Sequence, residues 1–178
     1  MAVDYLQAPL GYLLRIPCGD HAVDSPLDEP ARDRAEQAAA FLRFERIGRI
    51  FKTNCNAAQD TAQIVWLSCT QDFTDYIYGA LGVDDFCTFA LNEDRGLPCV
   101  LVATQHEIET ALERLGVSLA NQPGDPDANV CKEIVAPGGI ISVHRCDSGL
   151  AVRARHMVID FRFTDFEKAV QWKELSPK

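Results

Sequence analysis

The sequence predicts a single α+β domain spanning residues 1–178, with a central ferredoxin-like βαββαβ unit, an N-terminal helix and a C-terminal β-hairpin followed by a helix. Three observations predict it. Between residues 62 and 120, apolar runs of strand length alternate with segments of helical periodicity. Two of those runs, Ile64–Cys69 and Leu97–Ala103, are apolar on both faces, as the two central strands of that topology must be. A chain of 178 residues, 47% of them hydrophobic, can also bury a core without a metal or disulfide staple.

The elements follow in order. Tyr12–Ile16 has strand character, and Pro17–Pro30 is rich in turn formers. A helix is expected from Ala31 to about Arg46, because Ala35, Ala38, Ala39 and Leu42 fall on one face and Pro30 is tolerated in a first turn. Gly48 stops it, and Thr53–Asp60 is polar enough to be a loop. Within the central unit Ile64–Cys69 is the first strand. Thr70 then caps a helix whose stripe is Phe73, Tyr76, Ile77, Ala80 and Leu81, closed by Gly82. Phe86–Leu91 and Leu97–Ala103 supply the next two strands, joined through Asn92–Gly96. The pair Thr104 and Glu107 has the spacing of a capping box, opening a helix with Ile108, Ala111, Leu112 and Leu115 inside and Gly116 as the stop. Val117–Leu119 closes the unit as a brief strand.

Residues 121–139 form a long loop, and residues 140–178 a hairpin and helix. The hairpin strands are Ile140–Cys146 and Leu150–Phe163 around the turn Asp147-Ser148-Gly149. This register places His144, Cys146, Leu150 and Val152 on one apolar face and Arg145, Arg153 and Arg155 on the other, with a bulge expected near Met157. A second capping-box pair, Thr164 and Glu167, starts the final helix.

Charge and cysteine usage narrow the function. The net charge of −9 is concentrated: residues 53–131 hold twelve acidic side chains against two arginines. Such a block repels phosphate backbones, which argues against direct nucleic-acid binding. No run approaches the roughly 20 apolar residues of a membrane span, and Met1–Gly11 lacks the pattern of a secretory signal. Seven cysteines, odd in number and scattered, with several in apolar runs, read as reduced thiols of a cytoplasmic protein rather than a disulfide framework.

The motifs for chemistry are fragments. Cys18-Gly-Asp-His21 is half a zinc spacing with no second pair, and His144 and His156 are about four residues out of register, roughly 13 Å apart at strand spacing, so no metal site is expected. His106-Glu107 lacks the second histidine of a metalloprotease helix, where Thr110 stands instead. Asp125, Asp127 and Asn129 begin like a calcium loop but lack its glycine and its final glutamate. Neither a nucleophile elbow nor a glycine-rich phosphate or dinucleotide loop is present, and no cofactor is expected. Cys55 and Cys131 sit in polar surroundings where a neighbouring histidine would activate a thiol.

Two functional readings follow, and the residues leave open whether the protein is an enzyme. In the first, it is a non-catalytic interaction or regulatory protein. Its acidic helix face, Asp72, Asp75, Asp84, Asp85, Glu109 and Glu113, binds a basic protein partner and inhibits it if that partner binds nucleic acid. In the second, it is a small cytosolic enzyme or ligand-binding domain. Arg145, Arg153 and Arg155 then hold an anion between the hairpin and the 121–139 loop, with Cys131 or His144 as a reactive group. A homodimer completing the second sheet face is a further expectation.

Overall fold

The computed structural model describes residues 8–69, 82–92, 96–117, 136–146 and 149–156. In chain order these are β1 (Pro9–Arg15), α1 (Glu29–Leu42), β2 (Arg49–Lys52), α2 (Asn56–Cys69), α3 (Val83–Leu91), β3 (Cys99–Ala103), α4 (Gln105–Arg114), β4 (Ile140–Cys146) and β5 (Gly149–His156), with a 3-10 turn at Asp20–Ala22. One five-stranded sheet runs β2-β3-β1-β4-β5. The strands β1, β2 and β3 are mutually parallel, and β4 and β5 continue the sheet as an antiparallel hairpin.

Alternation along the strands sorts the core into two halves. Tyr12, Leu14 and Ile16 of the first strand and its exit pack with Ile50, Val100 and Val102 against α1 and α2. Leu13, Leu101 and Ala103 pack with Phe51, Ile141 and Val143 against α3 and α4. Every residue of β3 is buried, the signature of a parallel strand covered on both faces. Gly11 is where the layers come closest: a Cβ there would stand 3.0 Å from the Cys99 carbonyl oxygen and 3.1 Å from the Phe86 ring.

The ferredoxin-like prediction is overturned at two elements. Ile64–Cys69 is the end of helix α2, not a strand. Ala57, Ala58, Thr61, Ala62 and Val65 are its buried stripe, whereas Leu67 is 64% exposed. The stripe begins inside the stretch read as a polar loop, so the apolar run alone concealed the period. Phe86–Leu91 is likewise helical, burying Phe86, Cys87 and Ala90 behind Asp84 and Asp85 in its first turn. A six-residue apolar run does not by itself distinguish strand from helix. With both runs helical and β2 added at Arg49–Lys52, the order of elements is not βαββαβ.

Other expectations fare differently. Helix α1 buries Ala31, Ala35, Ala38, Ala39 and Leu42 and is capped by the Asp28 carboxylate, which accepts from the Ala31 amide at 2.9 Å. It stops at Leu42 rather than Arg46, where the backbone turns left-handed at φ 51°. Helix α4 carries the expected capping box of Thr104 and Glu107. The helix expected at 70–82 lies outside the described residues except for Gly82, which precedes α3. Val117 is not in a strand, and residues 118–119, the 121–135 part of the loop and everything after His156 lie outside the described residues.

The hairpin strands are found, but their register is one residue from that expected. Cys146 pairs with Gly149, not Leu150, leaving a two-residue turn. A slip of one residue carries every side chain to the other face. Arg145 therefore stands opposite Leu150, and Arg153 opposite Ser142. Among the described residues, no helix is long and apolar enough to cross a membrane.

Candidate functional site

The three parallel strands end together. Arg15 of β1 lies beside Ala103 of β3, and Lys52 of β2 beside Val102. In open α/β sheets, ligands settle beyond the carboxyl ends of such strands, where the loops and helix starts converge. Three segments meet there: the turn-rich chain after β1, the Thr53–Cys55 link into α2, and Thr104 at the start of α4.

Each is held by named bonds. Arg34 of α1 donates to the Pro17 carbonyl at 2.9 Å. The Ala57 amide, in the first turn of α2, donates to the Val23 carbonyl at 2.9 Å, and the Asn56 side-chain amide to the Asp24 carbonyl at 2.6 Å. The Leu27 amide donates to Asp60 at 3.2 Å. Behind Arg15, the Gly138 amide donates to its carbonyl and its own amide donates to the Gly139 carbonyl, both at 3.0 Å, so the approach to β4 is fixed to the same edge. The loop after β1 is thus tied to both α1 and the head of α2.

The electrostatics of this edge suit an anion. Arg15 and Lys52 are both half-buried, and a guanidinium fork matches the oxygens of a phosphate or carboxylate. Helices α2 and α4 follow β2 and β3 after short links, so the positive ends of both helix dipoles lie at this edge. The two heads differ. At α4, Glu107 already accepts from the Thr104 amide at 2.9 Å and from its hydroxyl at 2.8 Å, whereas the first turn of α2 holds no acid. His21 and His106 are exposed at this edge, and Cys55 is half-buried with its sulfur 4.0 Å from the Thr53 hydroxyl. Among the described residues, no group of three or more His, Cys, Asp or Glu side chains is placed to hold a metal ion.

The residues expected from sequence are distributed elsewhere. Asp84 and Asp85 are exposed at the start of α3, and Glu109 and Glu113 lie on α4 beside it. The Cys87 thiol, facing the Ala111 carbonyl at 3.6 Å, marks the contact between the two helices. Two of these acids have partners of their own: Asp84 forms an ion pair with Arg114, and Glu109 accepts from Gln105 at 3.0 Å. Asp72, Asp75 and Cys131 lie outside the described residues.

The three arginines of the hairpin do not converge. Arg145 reaches the Leu91 carbonyl of α3 at 3.3 Å, and Arg153 projects from the opposite face. Arg155 lies toward the other end of the hairpin, since neighbouring His156 pairs with Ile140. His144 is buried, and its Nε2 shares a 2.6 Å hydrogen bond with the Ser142 hydroxyl. What sequence reasoning missed was Arg15. The available signal was a strand ending in arginine before a turn-rich segment, but its neighbours at the edge, Lys52 and Ala103, stand 37 and 88 positions away.

No family model and no curated protein matches this sequence. Solved structures do resemble it. A protein of Nakamurella multipartitia assigned as the phosphohistidine phosphatase SixA superposes with a TM-score of 0.55 at 16% identity, covering 84% of this chain and 97% of that one. A SixA assignment from Agrobacterium tumefaciens gives 0.53 at 16% identity over 84% and 96%. The mycobacterial glucosyl-3-phosphoglycerate phosphatase, solved with VO3, gives 0.54 at 16% identity over 84% and 99%. At that identity the likeness is one of fold, and it corrects the ferredoxin-like assignment independently of the strand order. It also stands against the reading of the chain as a non-catalytic acidic regulator of a basic protein, since the three structures named are phosphatases or assigned as such. The second reading, an enzyme or ligand-binding domain for an anion, is the better supported.

Proposed function

We propose that this protein is a phosphohydrolase that binds the phosphoryl group of its substrate at the carboxyl edge of β1, β2 and β3 and releases it as inorganic phosphate. The observation that carries the reading is the position of Arg15 at the carboxyl end of β1, level with the ends of β2 and β3 from which the chain enters α2 and α4. It is supported by the phosphatases that share the fold, one of which was solved with vanadate, an oxyanion of phosphate-like shape. The anion site of the earlier reading thereby moves from the hairpin arginines to Arg15, assisted by Lys52 and the acid-free first turn of α2. Thiols at Cys18, Cys87 and Cys99, all buried and outside any disulfide, suit a reducing cytoplasm as its place of work.

Two measurements test it. Inorganic phosphate or orthovanadate at a hundredfold excess over its dissociation constant should stabilise the wild-type protein by about 2.7 kcal/mol. Arg15→Ala and Arg15→Lys should both lose most of that shift, because neither retains the bidentate fork. Phosphate should also appear on incubation with a panel of phosphate monoesters. Absence of stabilisation by either oxyanion, with no phosphate released from any ester, would end the proposal.

A further inference from the structure

We infer that the Thr53 hydroxyl is the second phosphoryl contact of this site and selects a tetrahedral oxyanion over a planar carboxylate, an inference that rests on the phosphohydrolase reading. The sheet register places it. Arg15 pairs with Ala103 and Lys52 with Val102, so Thr53 comes level with Ala103. Its amide donates to the Val102 carbonyl at 3.1 Å and extends the ladder by that one residue. Arg15, Ala103 and Thr53 therefore form a row across the three strand ends, each about 4.8 Å from the next. Alternation puts them on one face, because Leu13, Leu101 and Phe51, two residues earlier on each strand, all belong to the core half facing α3 and α4. The middle member of the row is an alanine, so no long side chain of β3 separates the Arg15 guanidinium from the Thr53 hydroxyl.

The hydroxyl is buried without a strong partner. Thr53 is 5% exposed, and among the described residues its hydroxyl meets only the Cys55 sulfur, at 4.0 Å. Sulfur is a weak hydrogen-bonding atom, whereas buried hydroxyls are as a rule well bonded. The neighbouring hydroxyl of this edge is unlike it, since Thr104 is engaged by Glu107 at 2.8 Å. Thr53 thus has donor capacity to spare, and it stands across a single alanine from the guanidinium of the row.

That placement sorts ligands by shape. A guanidinium fork takes two oxygens of either a carboxylate or a phosphoryl group. On the far side of a carboxylate held in this way lies its carbon substituent, which offers nothing to a hydroxyl. On the far side of a phosphoryl group lies a further oxygen. Thr53 donates to that oxygen, while a carboxylate leaves the hydroxyl buried and poorly bonded.

The test measures the Kd for inorganic phosphate and for acetate by thermal-shift titration of wild type, Thr53→Val, Thr53→Ser and Arg15→Ala. Thr53→Val keeps the shape and removes the hydroxyl, so it should weaken phosphate binding about 10- to 100-fold and leave acetate binding unchanged. Thr53→Ser should stay close to wild type. The ligand-free midpoint of Thr53→Val should be equal to that of wild type or higher, because an under-bonded buried hydroxyl exchanged for a methyl group costs the fold nothing. Wild-type phosphate affinity in Thr53→Val, with binding lost in Arg15→Ala, would overturn the inference and leave the phosphohydrolase reading standing. Acetate binding that falls in step with phosphate would equally overturn it, as would a lowered ligand-free midpoint, the mark of a structural threonine. A wild-type protein that neither phosphate nor vanadate stabilises would remove the phosphohydrolase reading and this inference together.

Discussion

The phenol of Tyr12, wholly buried in the central strand, donates a 2.5 Å hydrogen bond to Glu45 Oε2 in the turn that follows α1. Burial, then the hydrogen bond and the negative charge of Glu45, push the Tyr12 phenol well above its ordinary value of 10, with Arg155 opposing them. The sign follows from linkage. Because the folded state holds this proton more tightly, the contribution is complete below pH 10 and is lost as pH rises above it, where only the unfolded chain ionises readily. Urea unfolding of wild type should therefore show stability falling above pH 10. Tyr12→Phe should be less stable by about 1–3 kcal/mol at pH 7 and should show a shallower alkaline decline. Equal slopes in the two proteins would contradict this account.

Gly11 sits where β1 passes under α3. A methyl group there would meet the Cys99 carbonyl oxygen at 3.0 Å and two atoms of the Phe86 ring at 3.1 Å. Phe86 is fully buried and packs edge-on against Phe51, with ring centroids 6.0 Å apart, so the ring has little room to retreat. Gly11→Ala should cost about 1–3 kcal/mol by overpacking, read as a lowered midpoint of chemical denaturation with an unchanged slope.

At the start of α4 the capping box closes reciprocally: the Glu107 amide donates to the Thr104 hydroxyl at 3.3 Å, and the Thr104 amide to Glu107 at 2.9 Å. Thr104→Ala should lower stability by about 1 kcal/mol. It also frees a carboxylate at the proposed anion edge, so phosphate affinity should fall rather than rise. Calorimetric titration of the variant with inorganic phosphate checks that direction.

The capping box also shows which parts of the fold were legible. Caps, turns and helical stripes are local, and α1, α4 and both hairpin strands could be read from residues a few positions apart. The run Ile64–Cys69 could not, because its identity as a helix end rests on Ala57 to Ala62, small residues that look unremarkable until a sheet lies beneath them. The hairpin arginines failed for a different reason. Their facing depended on whether the turn held two residues or three, and one residue decided it. Arg15 was illegible as a site residue because its meaning comes from strand neighbours brought together by two crossovers. No spacing in the sequence records that adjacency.

Arg46 is the one non-glycine residue with positive φ among the described residues, at 51°, and its side chain is exposed. A left-handed conformation costs an L residue about 1–2 kcal/mol, and glycine there gives back roughly half of that through its larger unfolded-state entropy. Arg46→Gly should therefore stabilise the protein by about 0.5–1 kcal/mol, raising the denaturation midpoint. A destabilised variant would mean that the Arg46 side chain makes contacts worth more than the backbone cost.

The last prediction joins the fold to the site. Asn56 begins α2 and holds the Asp24 carbonyl at 2.6 Å, which with the backbone bond from Ala57 to Val23 ties the loop after β1 to that helix. Asn56 is exposed, so its bond competes with water and should be worth at most about 1 kcal/mol to global stability. Its value to the site is larger, because a loop free to wander must be ordered again each time a substrate binds, and that entropy is drawn from the binding energy. Asn56→Ala should therefore leave the denaturation midpoint nearly unchanged while raising KM for a phosphate monoester several-fold. Asn56→Asp keeps an oxygen but loses the donor, so it should behave like the alanine variant or worse, since it also sets a negative charge beside the incoming phosphoryl group. If both variants keep the wild-type KM, the tether does not position the loop for binding, and the bracing by Arg34 at Pro17 must suffice alone.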